Sequence, residues 1–317
     1  MSQLYSVTSS PHVRAQMTTQ KIMLCVIIAL MPATVFGVIH FGPRALAVIC
    51  VTIASCIVSE YLFNVITHRK QSVSDLSCIV TGLLLALNLS STIPFWIAIL
   101  GGAFAIIVVK MLFGGLGQNF MNPALGARCF LLLAFTGPMT SYATIPLDGT
   151  TSATPLGIIK EEGTLFSDTW SMFTGNIAGT IGETSVICLL IGAIFLILMG
   201  IIDIRIPGTY ILTFVIFIIL FGGHLTSGDL VTYVVQEVCG GGLILGAFFM
   251  ATDYTTSPIT PKGKIIYGII AGCLLGIFRV FGSSAEGCSY SIIFANMLVP
   301  LIERFTVPKP FGKGGEK

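Results

Sequence analysis

Of 317 residues only 9% are charged, against roughly a quarter in an ordinary soluble domain; 54% are hydrophobic and the mean hydropathy is +0.94. So few charges cannot cover a soluble core of this size, and the composition predicts an integral membrane protein. The formal net charge of +2, with no basic run longer than His68-Arg69-Lys70, excludes nucleic acid as a partner and leaves the lipid bilayer as the expected surroundings.

The chain opens on a polar stretch, 1–21, and its first apolar run follows Lys21 without a small-residue cleavage site, so it is expected to be a retained span and not a signal peptide. At about 20 apolar residues per crossing, the sequence predicts ten spans: 22–39, 44–66, 76–90, 94–113, 122–138, 184–202, 206–223, 238–252, 264–281 and 290–304. The third, fifth and eighth are short and carry Gly, Asn or Pro near an end. Half-helices or tilted helices are expected there, because broken backbone survives at membrane depth only under protein or beside a cavity. The nine cysteines are scattered, without a C-x-x-C pair or a Cys/His cluster, and are expected to pack as small apolar side chains.

Lys and Arg set the orientation. With ten spans, both termini share a side with Arg69, Lys70, Arg205, Lys262 and Lys264. The terminal segments add Arg14, Lys21, Arg304, Lys309, Lys313 and Lys317, while the other side has chiefly Arg44, Lys160 and Arg279. Both termini are therefore expected in the cytoplasm, and the long loop 139–183 outside it.

The two halves echo each other. "TGLLLALNLSSTIPFWIAILGGAFAIIVVKMLFGGLGQNF" and "GGLILGAFFMATDYTTSPITPKGKIIYGIIAGCLLGIFRVFGSS" both run from Gly-Leu-x-Leu through a Ser/Thr-rich break with Pro to an apolar span. The pairs Phe113-Gly114 and Phe281-Gly282 close the match. Five spans per half is an odd number, so the halves are expected to be inverted, an arrangement that places ligand sites near the midplane at broken helices. The expected organisation is a cytoplasmic segment 1–21, a first repeat 22–138, the external loop 139–183, a second repeat 184–304 and a cytoplasmic tail 305–317.

One stretch does not suit a hydrocarbon environment: "LDGTTSATPLGIIKEEG", with hydroxyls on Thr150, Thr151, Ser152 and Thr154. Read from its residues alone, it is a solvated turn whose hydroxyls cap the backbone. No His is present to serve as base for a Ser or Thr nucleophile, and the spacing and Lys of a phosphate-binding glycine loop are missing.

The same stretch resembles the flavin-attachment segment of the NqrB/RnfD family of membrane proteins, D-x-x-[ST]-G-A-T. Asp148, Thr151, Ala153 and Thr154 match, and Ser152 stands where Gly is usual. "SSPHVR", "GQNFMNPALGARCFL", "FMATDYTTSP" and "FGSSAEGCSYSIIFANMLVPLIER" also resemble this family, so the likeness covers nearly the whole chain, and the short N-terminal segment favours the RnfD branch. The resemblance implies an all-α membrane fold like that of the urea transporters. It implies FMN held as a phosphoester on Thr154 by a separate flavin transferase, and a noncovalent riboflavin near Asn119 and Asn122 of the N-x-x-N-P segment. It further implies a place among the membrane, iron–sulfur and flavin subunits of an Rnf-type complex in a prokaryotic cell membrane. Such a complex passes electrons between ferredoxin and NAD while moving Na+ or H+, and no catalytic acid or base is expected in this chain.

From the residues alone, Asn119 and Asn122 are equally well read as caps of a broken helix start. Asp253, in the break "ATDYTTSP", is the acidic residue nominated for an ion path, against the alternative of a solvated helix end. A solute channel or transporter with the same repeat and no redox cofactor is the competing function, and the attachment segment is the feature such a channel would not need.

Overall fold

The computed structural model describes residues 17–143, 151–152, 154–166, 168–183, 185–222, 229–282 and 287–308. These are helical apart from loops and a two-residue antiparallel pairing of β1 (Tyr142–Ala143) with β2 (Thr151–Ser152). All ten predicted spans fall on helices. α1 (Thr19–Phe41) and α2 (Pro43–Ile66) are long and apolar enough to cross a membrane, as is α13 (Pro261–Val280). α3 (Ser77–Leu87), α4 (Phe95–Met111), α5 (Pro123–Ala134), α9 (Val186–Leu198) and α10 (Arg205–Phe221) are apolar but shorter. α14 (Cys288–Thr306) has the length and carries Asn296, Glu303 and Arg304. Between α5 and α9 lie three short helices, α6 (Thr136–Thr140), α7 (Pro155–Glu162) and α8 (Thr169–Thr174). This is a multi-pass membrane protein.

The eighth predicted segment differs from expectation. It begins at α11 (Leu230–Cys239), well before residue 238, and continues as α12 (Leu243–Met250) after a 57° bend. Gly240, Gly241 and Gly242 make that bend, the last two at φ +62 and +67. Side chains with a Cβ seldom adopt such angles.

Apolar faces explain the arrangement. Along α1 the exposed side chains are Leu24, Ile28, Met31, Val35 and Ile39, one stripe at helical spacing, the face lipid would cover. Its other side packs on α9. α2 lies along α3 and α4, much as α10 lies along α13; α5 contacts α3, α4 and α14. Gly268, Gly272 and Gly276 form the seam of α13 against α10, where a Cβ on Gly272 would stand 2.7 Å from the Tyr210 carbonyl oxygen. Small residues at four-residue spacing permit this close approach.

Two breaks complete the architecture. α3 stops at Asn88, and the chain runs irregularly to Pro94 before α4. The carbonyls left there are not abandoned. Gly182 N donates to Leu87 O at 2.8 Å and Ile181 N to Leu89 O at 3.0 Å, so the segment after α8 plugs the gap. Broken backbone is thereby satisfied by protein. The second break, between α12 and α13, contains Asp253.

Candidate functional site

Thr154 and Leu156 of α7, Met172 of α8, Glu183, and Gly240 and Gly241 of the bend after α11 line a small pocket. Thr154 is the N-cap of α7, its extended backbone (φ −67, ψ 156) followed by Pro155 at the first helical position. Its Oγ1 accepts from Gly157 N at 3.2 Å. A Thr followed by Pro starts a helix because the hydroxyl satisfies an orphan N–H and proline's fixed φ suits the first turn. The hydroxyl thus sits at a helix N-terminus, where amide donors and the dipole favour an anion. Glycine is required opposite: a Cβ on Gly240 would lie 2.8 Å from Leu156 Cγ. Nearby, Asp168 caps α8, accepting from Trp170 N and Ser171 N, and also from the Ser171 hydroxyl. The bonds from Ser171, with that from Trp170, hold its carboxyl below the ordinary carboxylate range.

A second, larger cleft opens between the start of α1, the first turns of α3, the turn before α5, the end of α9 and the break after α12. Asn119, Asn122 and Asp253 all line it. Asn122 caps α5: its Oδ1 accepts from Ala124 N at 3.0 Å and Leu125 N at 3.4 Å, and its Nδ2 donates to Met250 O at 3.3 Å. Asn119 Nδ2 donates to Met121 O at 3.0 Å, while its Oδ1 accepts from Thr255 Oγ1 at 3.1 Å. Thr255 and Thr256 hydroxyls also donate to Asp253 Oδ2, at 3.1 and 3.3 Å. An amide offers two N–H donors and a carbonyl oxygen, so Asn122 keeps one N–H beyond those bonds for something in the cleft.

Among the described residues, buried ion pairs brace the elements around these spaces. Lys110 on α4 meets Glu60 on α2 at 2.7 Å, Arg279 on α13 meets Glu237 on α11 at 2.9 Å, and Arg128 on α5 meets Glu183 at 3.5 Å. Arg128 Nη1 also donates to Asn88 Oδ1 at 3.0 Å and Ser289 Oγ at 2.9 Å. Asn88 Nδ2 reaches the Met250 sulfur at 3.7 Å. Glu183 is in the wall of the first pocket, and Met250 is bonded by Asn122 of the second. A chain of polar contacts therefore runs between the two.

Over residues 6–312 the sequence matches the NQR2, RnfD, RnfE family. Among its relatives is the D component of the Na(+)-translocating ferredoxin:NAD(+) oxidoreductase complex of Acetobacterium woodii. It is 48% identical over 97% of this chain and 95% of the relative. The D component of the proton-translocating ferredoxin:NAD(+) oxidoreductase complex of Clostridium ljungdahlii is 40% identical over 98% and 96%. The D component of an ion-translocating oxidoreductase complex from Actinobacillus succinogenes is 31% identical over 98% and 99%. The chain belongs to the NQR2, RnfD, RnfE family.

Within this family member the structure brings together some of the residues that stand out in the sequence and separates others. Asn119, Asn122 and Asp253 share one cleft. Asn122 does cap a helix, and it lines the cleft as well; the two readings are compatible. Thr154 lies in the other pocket. Thr151 and Ser152 are placed by backbone pairing with β1, while Asp148 and Ala153 lie outside the described residues. The buried cations Lys110 and Arg128 are not among the residues picked out by sequence, although a Lys or Arg inside a span is rare enough to signal a partner; Arg279, counted there among the charges outside the cytoplasm, is buried in the last turn of α13 against Glu237. Glu60 and Glu237 are 0% and 6% exposed. Their position in a helix does not reveal that another helix covers them.

Proposed function

We propose that this chain is the membrane flavoprotein subunit of an Rnf-type complex that couples electron transfer between ferredoxin and NAD to cation movement. The observation that carries the proposal is the 48% identity, across nearly the full length of both chains, to the D component of such a complex. The names of its relatives divide between Na+ and protons, so the cation is a question for transport assays on this complex itself.

Within that role Thr154 accepts FMN as a phosphoester, added by a flavin transferase. Support comes from the D-x-x-T-x-A-T spacing and from the hydroxyl's place at the N-terminus of α7, where a phosphate is electrostatically favoured. The flavin supplies one-electron chemistry; the chain supplies its position. The inner cleft is the proposed place of a noncovalent riboflavin, with Asn119 and Asn122 in its wall.

For topology we infer ten spans in two inverted halves, split as 22–138 and 184–304. α2 against α4 and α10 against α13 are the corresponding pairs, and α3 and α11–α12 the interrupted ones. Both termini are then cytoplasmic and the Thr154 loop is outside. Mass spectrometry of the subunit purified from its native complex tests the central claim. One FMN phosphoester on the Thr154 peptide is expected; an unmodified peptide from active complex sinks it.

A further inference from the structure

The inner cleft has a cation in its wall that the reading above leaves idle. Lys110 is 2% exposed and lies in the stretch Phe104–Met111, where α4 loosens into π-helical turns. Such turns are rare and gather at functional positions, because they re-aim a side chain. Nζ of Lys110 donates to Glu60 Oε2 at 2.7 Å and to Ser77 Oγ at 2.6 Å. An ammonium has three donors, and the third has no partner among the described residues. Glu60 is held from behind: its Oε1 accepts from Ser72 Oγ at 2.6 Å, and Asn64 Nδ2 donates to Ser72 Oγ at 3.0 Å. Lys110 and Ser77 line the cleft, and Glu60 does not. Whatever enters the cleft therefore meets the positive end of this pair first. Asp253, Asn119, Thr255 and Asn122 face it from the other elements of the cleft.

A purely mechanical role would be to tie α2, α3 and α4 together. Burying two charges is a poor way to do that, since well-packed apolar side chains of similar volume usually serve as well or better. A tie also has no need of a cleft-facing ammonium.

We propose that Lys110 is the positioning cation that sets the reduction potential of the electron acceptor held in the inner cleft. The proposal rests on the reading that this cleft binds a flavin. Reduction by a one-electron carrier of the complex adds one negative charge to the acceptor; no bond forms or breaks. The lysine proton stays on Nζ, where Glu60 and Ser77 hold it. Charge interactions weaken with distance and are strong away from water. The nearer ammonium therefore outweighs the carboxylate behind it and favours the reduced form.

The test uses the full-length chain carrying Thr154→Ala, so that no covalent flavin contributes, with riboflavin as the probe. Three further variants are compared: Lys110→Gln, Lys110→Arg, and Lys110→Gln with Glu60→Gln, which removes both charges and guards against a fold left with a lone buried carboxylate. Binding is read by fluorescence quenching, and the midpoint potential of bound riboflavin by spectroelectrochemical titration. Lys110→Gln, alone or with Glu60→Gln, is expected to bind riboflavin but to disfavour its reduction at least tenfold, a fall of about 59 mV for one electron. Lys110→Arg is expected to retain the parent potential. Bound riboflavin with an unshifted potential in the doubly neutral variant overturns the proposal and leaves Lys110 a tie between helices. Failure of the Lys110-containing parent to bind riboflavin overturns instead the reading on which the proposal rests.

Discussion

Thr154 has two separable duties, and substitution tells them apart. As N-cap it satisfies the Gly157 amide, a contribution of about 1 kcal/mol to a surface helix. As acceptor it would be the sole attachment atom. Thr154→Ala is expected to leave the amount of protein in the membrane unchanged and to abolish the flavin fluorescence of the subunit on a denaturing gel. Persistent fluorescence would move the attachment to another hydroxyl. Asn122 can be divided in the same manner. Asn122→Ser keeps an oxygen that caps α5 but removes the amide N–H groups. If that amide pairs with a ligand edge, its loss costs roughly 1–3 kcal/mol and weakens riboflavin binding about five- to hundredfold. Riboflavin released on acid denaturation would then fall while the melting temperature holds. Equal riboflavin in variant and parent would leave Asn122 as a cap alone.

At the scale of elements, the proposed inverted repeat accounts for a one-residue offset between its halves. Lys110 stands three residues before Phe113, whereas Arg279 stands two before Phe281. α4 contains π-helical turns over Phe104–Met111, and α13 is α-helical throughout. A π-turn accommodates one additional residue, which restores the correspondence between the two buried cations. The seam of α13 is the element most sensitive to added volume. Gly272→Ala would set a Cβ 2.7 Å from Tyr210 O and 2.8 Å from Thr213 Cβ, so α10 and α13 must part. Overpacking of this kind costs about 1–3 kcal/mol, and thermal melting of the purified chain in detergent should show it; an unchanged melt would mean that the two helices yield without cost. The apolar helices were legible in the sequence because a long apolar run has few other uses, and the breaks because Asn88, Pro94 and Pro261 interrupt those runs. The start of α11 was not, since Gln236 and Glu237 dilute its apolar pattern and both are buried by tertiary partners. Nor were the ion pairs: Glu60 and Lys110 lie 50 positions apart, and nothing local in either helix names the other.

Across the whole molecule, the two pockets and the polar contacts between them acquire direction only once the orientation is known. Glu183, Arg128, Asn88, Met250 and Asn122 connect the Thr154 pocket to the cleft of Asn119, Asp253 and Lys110. If the Lys/Arg asymmetry is read correctly, the first pocket opens outside the cytoplasm and the second toward it. The path then runs from the outer side toward the cytoplasmic side. Thiol labelling decides this. Cys50 is the exposed native cysteine among the described residues, so the background is Cys50→Ala. Thr164 lies in the exposed turn after α7, and Lys262 in the exposed first turn of α13, on the side assigned to the cytoplasm. In intact cells an impermeant maleimide should modify Thr164→Cys at once and Lys262→Cys only after the membrane is opened. The opposite order would put Thr154 in the cytoplasm, invert every span, and remove the need for electrons to cross the bilayer to reach it. Labelling of both positions from one side would break the odd number of spans expected between them. The inverted relation of the halves depends on an odd count in each, because an even count returns the second half to the orientation of the first.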